Sequence, residues 1–440
     1  MREQTAQWIA DAAGAVLRRD ARPSDDGSHG PQTVEIDSRQ AGPGALFVGI
    51  PGERTDGGRF AADVLTAGAW GVLVRPEHVA AAEAVAGGAI LVHEDPVAAL
   101  GELARAWRRE LGAVVVGITG SVGKTSTKDL LTGIVAPHRR TVATAGNYNT
   151  EIGLPLTVLG APAGTEVMIL EMAMRGSGQI AELARIAEPD VGVVTNVAPV
   201  HVELLGSIEG VAAAKAELLH GLPPGGTAII PANEPLLDAH RPTGVTIVTV
   251  GEGGTADPVP ESLTLADDVP LTVRRNLPAA VAAARAVGIE PAGSVSPTIS
   301  AMRGQRLHLP GDVVVVVDCY NANPMSTSAA IDDLAASASG RRVAVLGDML
   351  ELGPDELRFH AELGAHAREA GVEVLVAVGP LSRHTGTGFG GAVHWVATAA
   401  EAAKLVPTLL EPGDTVLLKA SRGIGLERVA DALATTGADA

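Results

Sequence analysis

The chain has one cysteine, Cys319, in 440 residues. An internal disulfide is therefore excluded, and with no Cys-x-x-Cys or His/Cys cluster there is no sign of zinc. Aromatic residues are only 2%, so the core has to be built from Val, Leu, Ile and Ala. Positive charge is also scarce: the formal net charge is -18. That argues against a broad basic surface, and so against nucleic-acid binding or attachment to anionic lipid. No run reaches about 18 unbroken apolar residues, and no membrane insertion is expected. The opening MREQTAQWIADAAGAVLRRD lacks the continuous apolar stretch of a signal peptide and reads as an amphipathic surface helix. A reducing, cytoplasmic setting fits these absences. There is no short tandem repeat, and nothing demands more than a monomer.

What the sequence does have is 46% hydrophobic residues in strand-then-helix alternation. This predicts α/β layering with parallel sheets, in more than one domain at this length. Residues 1–108 carry the short strands TVEI, ALFVGI and WGVLV between glycine- and proline-rich turns, a small α/β unit. Residues 109–301 open with the apolar strand of GAVVVGITG and continue through EVMILEM, the helix GQIAELARIA, VGVVTNV, the helix SIEGVAAAKAELLHGL and GTAII. That is the pattern of a central parallel-sheet domain. The polar, turn-rich stretch 250–273 reads as irregular. Residues 302–440 repeat the alternation in RRVAVLGDM, VEVLVAVG and DTVLLKAS, a Rossmann-like carboxy-terminal domain.

The segment GITGSVGKTSTKDLL, residues 117–131, is a strand end, a glycine turn and a helix opening on Lys-Thr. The longer phosphate-loop pattern would need glycine at position 118, which is Ile118. The match is instead to Gly120-Ser121-Val122-Gly123-Lys124-Thr125. Glycines let the backbone approach phosphate oxygens, the helix N-terminus attracts anions, Lys124 reaches the outer phosphates and Thr125 suits magnesium. Glu171 ends the strand EVMILE and His201 lies past VGVVTNV, both at strand ends beside this loop. A lone histidine is ordinarily a hydrogen-bonded loop residue, but two polar residues at successive strand ends favour metal or phosphate contact. Lys215, in VAAAKAELL, reads from its spacing as a solvated surface lysine. Asp318, after the run VVVVV, is a candidate for a hydroxyl-rich group such as ribose.

The motifs TGSVGKTSTK, GNYNTEIGLPLTVL, EMAMRGSGQIAELARIAEPDVGVVTNVAPVHVELLGS, AAAKAELL, DCYNANPMSTSAAI, VLGDMLELG and LLKASRGIGLE occur in the order seen in the Mur ligases. The amino-terminal IDSR and PGALFVGIPGERTDGGRF resemble that family's sugar-nucleotide-binding domain. The chain resembles the family over nearly its whole length, and most strongly the branch that handles D-Ala-D-Ala.

The resemblance implies three domains and an ATP-dependent, Mg2+-dependent amide ligase of cytoplasmic peptidoglycan precursor synthesis. The terminal carboxylate of UDP-N-acetylmuramoyl-tripeptide would attack the γ-phosphate of ATP to give an acyl phosphate, which the amine of D-Ala-D-Ala then attacks. By matched position, Thr119, Gly120, Ser121, Val122, Gly123, Lys124, Thr125 and Ser126 would hold the ATP phosphates. Asn276 would contact adenine, and Arg306 and Asp318 the nucleotide from the third domain. Thr125, Glu171 and His201 would hold metal, joined by Lys215 once carbamylated; Lys124, His201 and Lys215 would be catalytic. Asn147, Asn149 and Thr150 would lie near the transferring phosphoryl group. Ser38 and Arg39 would face uridine, and Lys419, Ser421 and Arg422 the incoming dipeptide.

The chain departs from the family pattern in four places. Val317-Asp318-Cys319-Tyr320 keeps only the second acid of the usual Asp-Asp-Ser-Tyr, TVRRN replaces Gly-x-His before Asn276, and Asp56-Gly57-Gly58 stands where Asp-Gly-His is common. The segment from Asn233 to Asn276 is also short. A related ligase with another amine acceptor, and a non-catalytic nucleotide-binding relative, are the alternatives. The intact set Lys124, Thr125, Glu171, His201 and Lys215 speaks against the second.

Overall fold

A computed structural model of the chain describes residues 1–21, 29–199, 202–267, 269–391 and 393–438. Its strands form three large sheets in succession along the chain. The first has the order Val16–Arg19, Ala89–Val92, Gly71–Val74, Ala45–Val48, Thr33–Glu35, with only the first pair antiparallel. The opening twenty residues are therefore not one helix. Thr5 caps a helix of only seven residues, Ala6–Ala12, by accepting from the Trp8 N–H. The chain then turns, and Val16 and Leu17 pair with Val92 and Leu91. A β-branched residue on a free sheet edge gains more from that ladder than from extending a helix of this length.

The helix Pro96–Leu111 joins the first unit to the second. Asp95 caps it by accepting from the Val97 and Ala98 N–H groups, and Leu100, Leu103, Ala104 and Trp107 form its buried stripe. The Trp107 indole N–H donates to the Ala161 carbonyl at 3.1 Å, and Arg105 pairs with Glu188 at 2.9 Å. The connection is thus a packed helix, not a loose linker.

The central sheet has six strands, all parallel, ordered Thr246–Val250, Thr227–Pro231, Val191–Val194, Val114–Thr119, Val167–Glu171, Thr141–Ala143. A parallel sheet is covered on both faces, which is why its strands read as continuous apolar runs. Val115, Met168 and Leu170 enter one core, and Val116, Ile118 and Ile169 the other. The stretch 250–273 is more ordered than expected. It holds a short strand, Leu263–Leu265, paired with Gly293–Val295, and a helix, Leu271–Arg274, because Leu263, Val269 and Val273 are buried in the second core.

The third sheet runs Gln305–Leu309, Val313–Val317, Thr415–Lys419, Arg342–Gly347, Val374–Val378, Val393–Val396. Only its opening hairpin is antiparallel. Among the described residues no helix is long and apolar enough to cross a membrane. The carboxyl ends of the central and third sheets' strands face a common crevice, where ligands of such sheets bind.

Candidate active site

The turn from Val114–Thr119 into the helix Lys124–Val135 needs two backbone shapes that side chains disfavour. Gly120 has φ +144° and Gly123, the residue before the helix, φ +87°. A Cβ at Gly120 would collide with the Thr195 hydroxyl, and one at Gly123 with the Asn276 amide. The loop is held from below by the next strand end: the Val122 N–H donates to Asn196 Oδ1 at 2.9 Å, and Thr195 Oγ1 and Asn196 Nδ2 donate to the Val122 carbonyl at 2.5 and 2.9 Å. Thr119 Oγ1 donates to the Met172 carbonyl at 2.9 Å, and Ser121 Oγ to the Ala198 carbonyl at 3.1 Å. The first-turn N–H groups of the helix, which have no intrahelical acceptor, end the loop.

Lys124 folds back so that Nζ donates to the Gly120 carbonyl at 2.8 Å. Burial lowers its pKa from the usual lysine range; Glu171 opposes the shift and Arg303 adds to it. Thr125 Oγ1 donates to Glu171 Oε2 at 2.8 Å, and Asn149 Nδ2 to Glu171 Oε1 at 2.9 Å. Glu171 is only 1% exposed, so strand, helix and the 147–150 loop meet on one buried carboxylate. Asn147 and Thr150 stay exposed on that loop.

Lys215 overturns the expectation drawn from its spacing. It is 2% exposed, on the helix Ile208–His220, whose Val211, Ala212, Ala214, Ala216 and Leu218 are also buried. Burial first, and the positive charge of Lys124 second, push its amine well below the ordinary lysine range. His201 lies outside the described residues.

The loop borders a cavity of about 220 Å³ lined by Ser121 to Ser126, Asn196, Arg275, Asn276, Arg303, Met325, Asp318 and Lys419. Asp318 and Lys419 are paired at 2.8 Å, and Lys419 also donates to the Asn321 carbonyl at 3.1 Å. Arg306 is not among the residues lining this cavity. It sits on the strand Gln305–Leu309, where its charge works against the raised pKa of buried Asp333. Arg303, its guanidinium 4.0 Å from the Tyr320 ring centroid, lines the cavity together with Arg275.

A second cavity, about 490 Å³, shares Ser121, Lys124, Asn321 and Asn323 with the first and extends to Arg175, Glu351, Ser421 and Arg422. Ser421 Oγ accepts from the Leu350 N–H at 2.9 Å. Ser38 and Arg39 line neither cavity. Arg39 is exposed and pairs with Asp37, whose pKa its hydrogen bonds hold at about 2.

Sequence reasoning missed Thr195 and Asn196, although the strand-end rule that selected His201 applies equally to them. It also missed Arg175, Arg275, Arg303 and Glu351, for which no sequence pattern gave a signal.

Chemically, the two cavities offer a cradle for phosphates and a charged annex, and the Thr125 hydroxyl at the first of them is backed by the buried Glu171 carboxylate, a pair of oxygens suited to a hard cation. Residues 32–108 match the model of the Mur ligase family catalytic domain, 118–270 that of the Mur ligase middle domain, and 302–422 that of the Mur ligase glutamate ligase domain. The chain is 38% identical to the UDP-N-acetylmuramoyl-tripeptide--D-alanyl-D-alanine ligase of Mycobacterium tuberculosis, covering 98% of each. The structure is similar to a crystal structure of MurF from Acinetobacter baumannii, with TM-score 0.82, 27% identity and 99% and 100% of the two chains covered. It is also similar to MurF ligase from Thermotoga maritima in complex with ADP, with TM-score 0.78, 28% identity and 92% and 98% covered.

Proposed function

The chain belongs to the Mur ligase family, and from that premise we infer that it joins D-Ala-D-Ala to UDP-N-acetylmuramoyl-tripeptide at the expense of ATP, in peptidoglycan precursor synthesis. The observation that carries this reading at the level of residues is the continuity of two cavities through Ser121 and Lys124. One is fitted to a nucleotide's phosphates, the other is open to a second charged substrate.

The tripeptide's terminal carboxylate attacks the γ-phosphate, an O–P bond forms, and ADP leaves. The dipeptide nitrogen then attacks the acyl carbon, and phosphate leaves as the amide forms. Carboxylate and triphosphate repel each other, so the first step needs local positive charge in a chain whose formal charge is -18. Lys124, the backbone of Gly120 to Thr125 and the first-turn N–H groups supply it. In this reading Asn276 and Arg303 border the nucleoside. Asp318 acts through its pair with Lys419, and Asn147, Asn149 and Thr150 border the acceptor carboxylate. Ser38 and Arg39 are placed at the uridine end, with Ser421 and Arg422 at the dipeptide end.

The Thr125 hydroxyl, which lines the nucleotide cavity, and the buried Glu171 carboxylate 2.8 Å behind it are hard oxygen donors of the kind Mg2+ takes. We assign them as its protein ligands, with His201 from the family pattern. When bound, Mg2+ would neutralise charge on the phosphates. Lys215 belongs to the same site. Burial and the charge of Lys124 shift its amine toward the neutral form, and the neutral form is the one that adds CO2, losing one proton to give a carbamate. We place the domain divisions near residues 108 and 301, and the reaction in the cytoplasm.

The test is phosphate release from ATP and Mg2+ with UDP-N-acetylmuramoyl-tripeptide, with and without D-Ala-D-Ala. Release that needs both, with a pentapeptide product by mass, is expected. Release that ignores the dipeptide, or serves another amine better, would sink the assignment.

A further inference from the structure

We propose that the Glu351 carboxylate receives the ammonium of the incoming dipeptide and accepts the proton that the nitrogen must shed before it can form the amide bond. This rests on the reading that the acyl phosphate is made beside Lys124.

The larger cavity has a marked charge pattern. Lys124, Arg175 and Arg422 line it, and among the described residues Glu351 is the only carboxylate that does. Three cations suit phosphate and carboxylate groups but repel an ammonium. A dipeptide that enters as a zwitterion therefore has one place in this cavity where its amine end is attracted.

The backbone supports the same assignment. Glu351 has φ +63°, one of four non-glycine residues with positive φ among the described residues. Glutamate is uncommon in that region, and non-glycine residues held there by their surroundings cluster at functional sites. The imposition is visible. The Met349 N–H donates to His360 Nε2 at 3.0 Å, and His360 Nδ1 lies 2.7 Å from the Glu356 carbonyl, which fixes the neutral ring as the Nδ1–H tautomer. The Leu350 N–H donates to Ser421 Oγ at 2.9 Å, and the Ser421 N–H to the Asp348 carbonyl at 3.0 Å. The turn is therefore pinned immediately before Glu351, and its exposed side chain is delivered to the cavity wall.

The chemistry balances without a further reactant. The dipeptide's ammonium gives one proton to Glu351, which frees the nitrogen lone pair to form the C–N bond to the acyl carbon; the C–O bond to phosphate breaks, and phosphate leaves with the bond's electrons. The nitrogen becomes strongly acidic once bonded to that carbon, and this second proton leaves with the phosphate, while Glu351 passes the first to water.

The experiment uses the full chain with ATP, Mg2+, UDP-N-acetylmuramoyl-tripeptide and D-Ala-D-Ala. Glu351→Gln should lower kcat/KM for the dipeptide at pH 7 by about 100-fold. Acyl phosphate should still be trapped by hydroxylamine as the hydroxamate, which also reports a folded site. Between pH 7 and 9 the variant should regain about tenfold relative to the parent, because a free α-amine with a pKa near 8 then loses its own proton. Glu351→Asp should retain more activity than Glu351→Gln. A variant within about threefold of the parent at pH 7, a loss with no relative recovery at high pH, or loss of the hydroxamate would each overturn the proposal. A parent chain that forms neither hydroxamate nor amide would instead overturn the ligase reading beneath it.

Discussion

Two lysines in this protein are equally hidden, each 2% exposed, and they are hidden in opposite ways. Lys419, the last residue of the strand Thr415–Lys419, meets the Asp318 carboxylate at 2.8 Å and donates to the Asn321 carbonyl. Lys215, in the helix Ile208–His220, has no carboxylate or hydrogen-bond partner among the described residues, and the charge it meets is that of Lys124. Burial without a counter-charge disfavours the ammonium, whereas burial with one retains it. The first lysine joins a strand end to the loop beside it. The second meets burial and a like charge, both of which lower its pKa and favour its neutral form.

If that contrast is right, its largest consequence is catalytic. Lys215→Ala should lose about a thousandfold in turnover, in line with removing a group that places charge in the transition state. A short-chain carboxylic acid should restore part of it by standing in for the carbamate. Depleting CO2 and bicarbonate should reversibly lower the parent's activity and leave the residual activity of Lys215→Ala unchanged. Full activity in Lys215→Ala would abolish the contrast. Lys124→Ala gives a reference point, because it should abolish turnover through the phosphates and respond to neither carboxylic acid nor bicarbonate.

A smaller effect separates the lysines by stability. Asp318→Asn leaves Lys419 buried without its partner and should cost about 2–3 kcal/mol, toward the low end for a broken buried pair because Asp318 is partly exposed. Urea unfolding measures it. A cost below about 0.5 kcal/mol would mean that Lys419 finds other support, and the two lysines would be more alike than their surroundings suggest.

The phosphate loop was legible because its chemistry depends on spacing, and Glu171 was legible because strand ends in parallel sheets face the crevice. The three-sheet alternation could be read for the same reason. Lys215 was not legible from its own residue type. The signal lay around it: the helix's polar residues Glu209, Glu217 and His220 share one face with exposed Ala213, and Lys215 falls on the opposite, apolar face among buried Val211, Ala212 and Leu218. Arg303 could not be told from Arg306 because the choice depends on where the hairpin Gln305–Leu309 begins, which tertiary pairing sets. The role proposed for Glu351 was likewise hidden, since its backbone shape is imposed by His360 and Ser421 from distant positions in the chain.

The smallest expected effect is a slope, and its sign tests the comparison directly. Lys215 has a folded pKa below its unfolded value of about 10.5. Between those two values the unfolded chain carries a proton there that the folded chain does not. Unfolding free energy should therefore rise with pH through that window, by up to about 1.4 kcal/mol per pH unit for this one group, and level off above pH 10.5. Lys215→Met removes the titrating amine and fills the space with an apolar chain of similar length. At neutral pH it should be about 1 kcal/mol more stable than the parent in CO2-depleted buffer. Its stability should also climb less between pH 7 and 10. The measurement is urea unfolding of both proteins at several pH values. Parallel curves would mean that Lys215 keeps its proton in the fold, and a lysine that keeps its proton cannot add CO2.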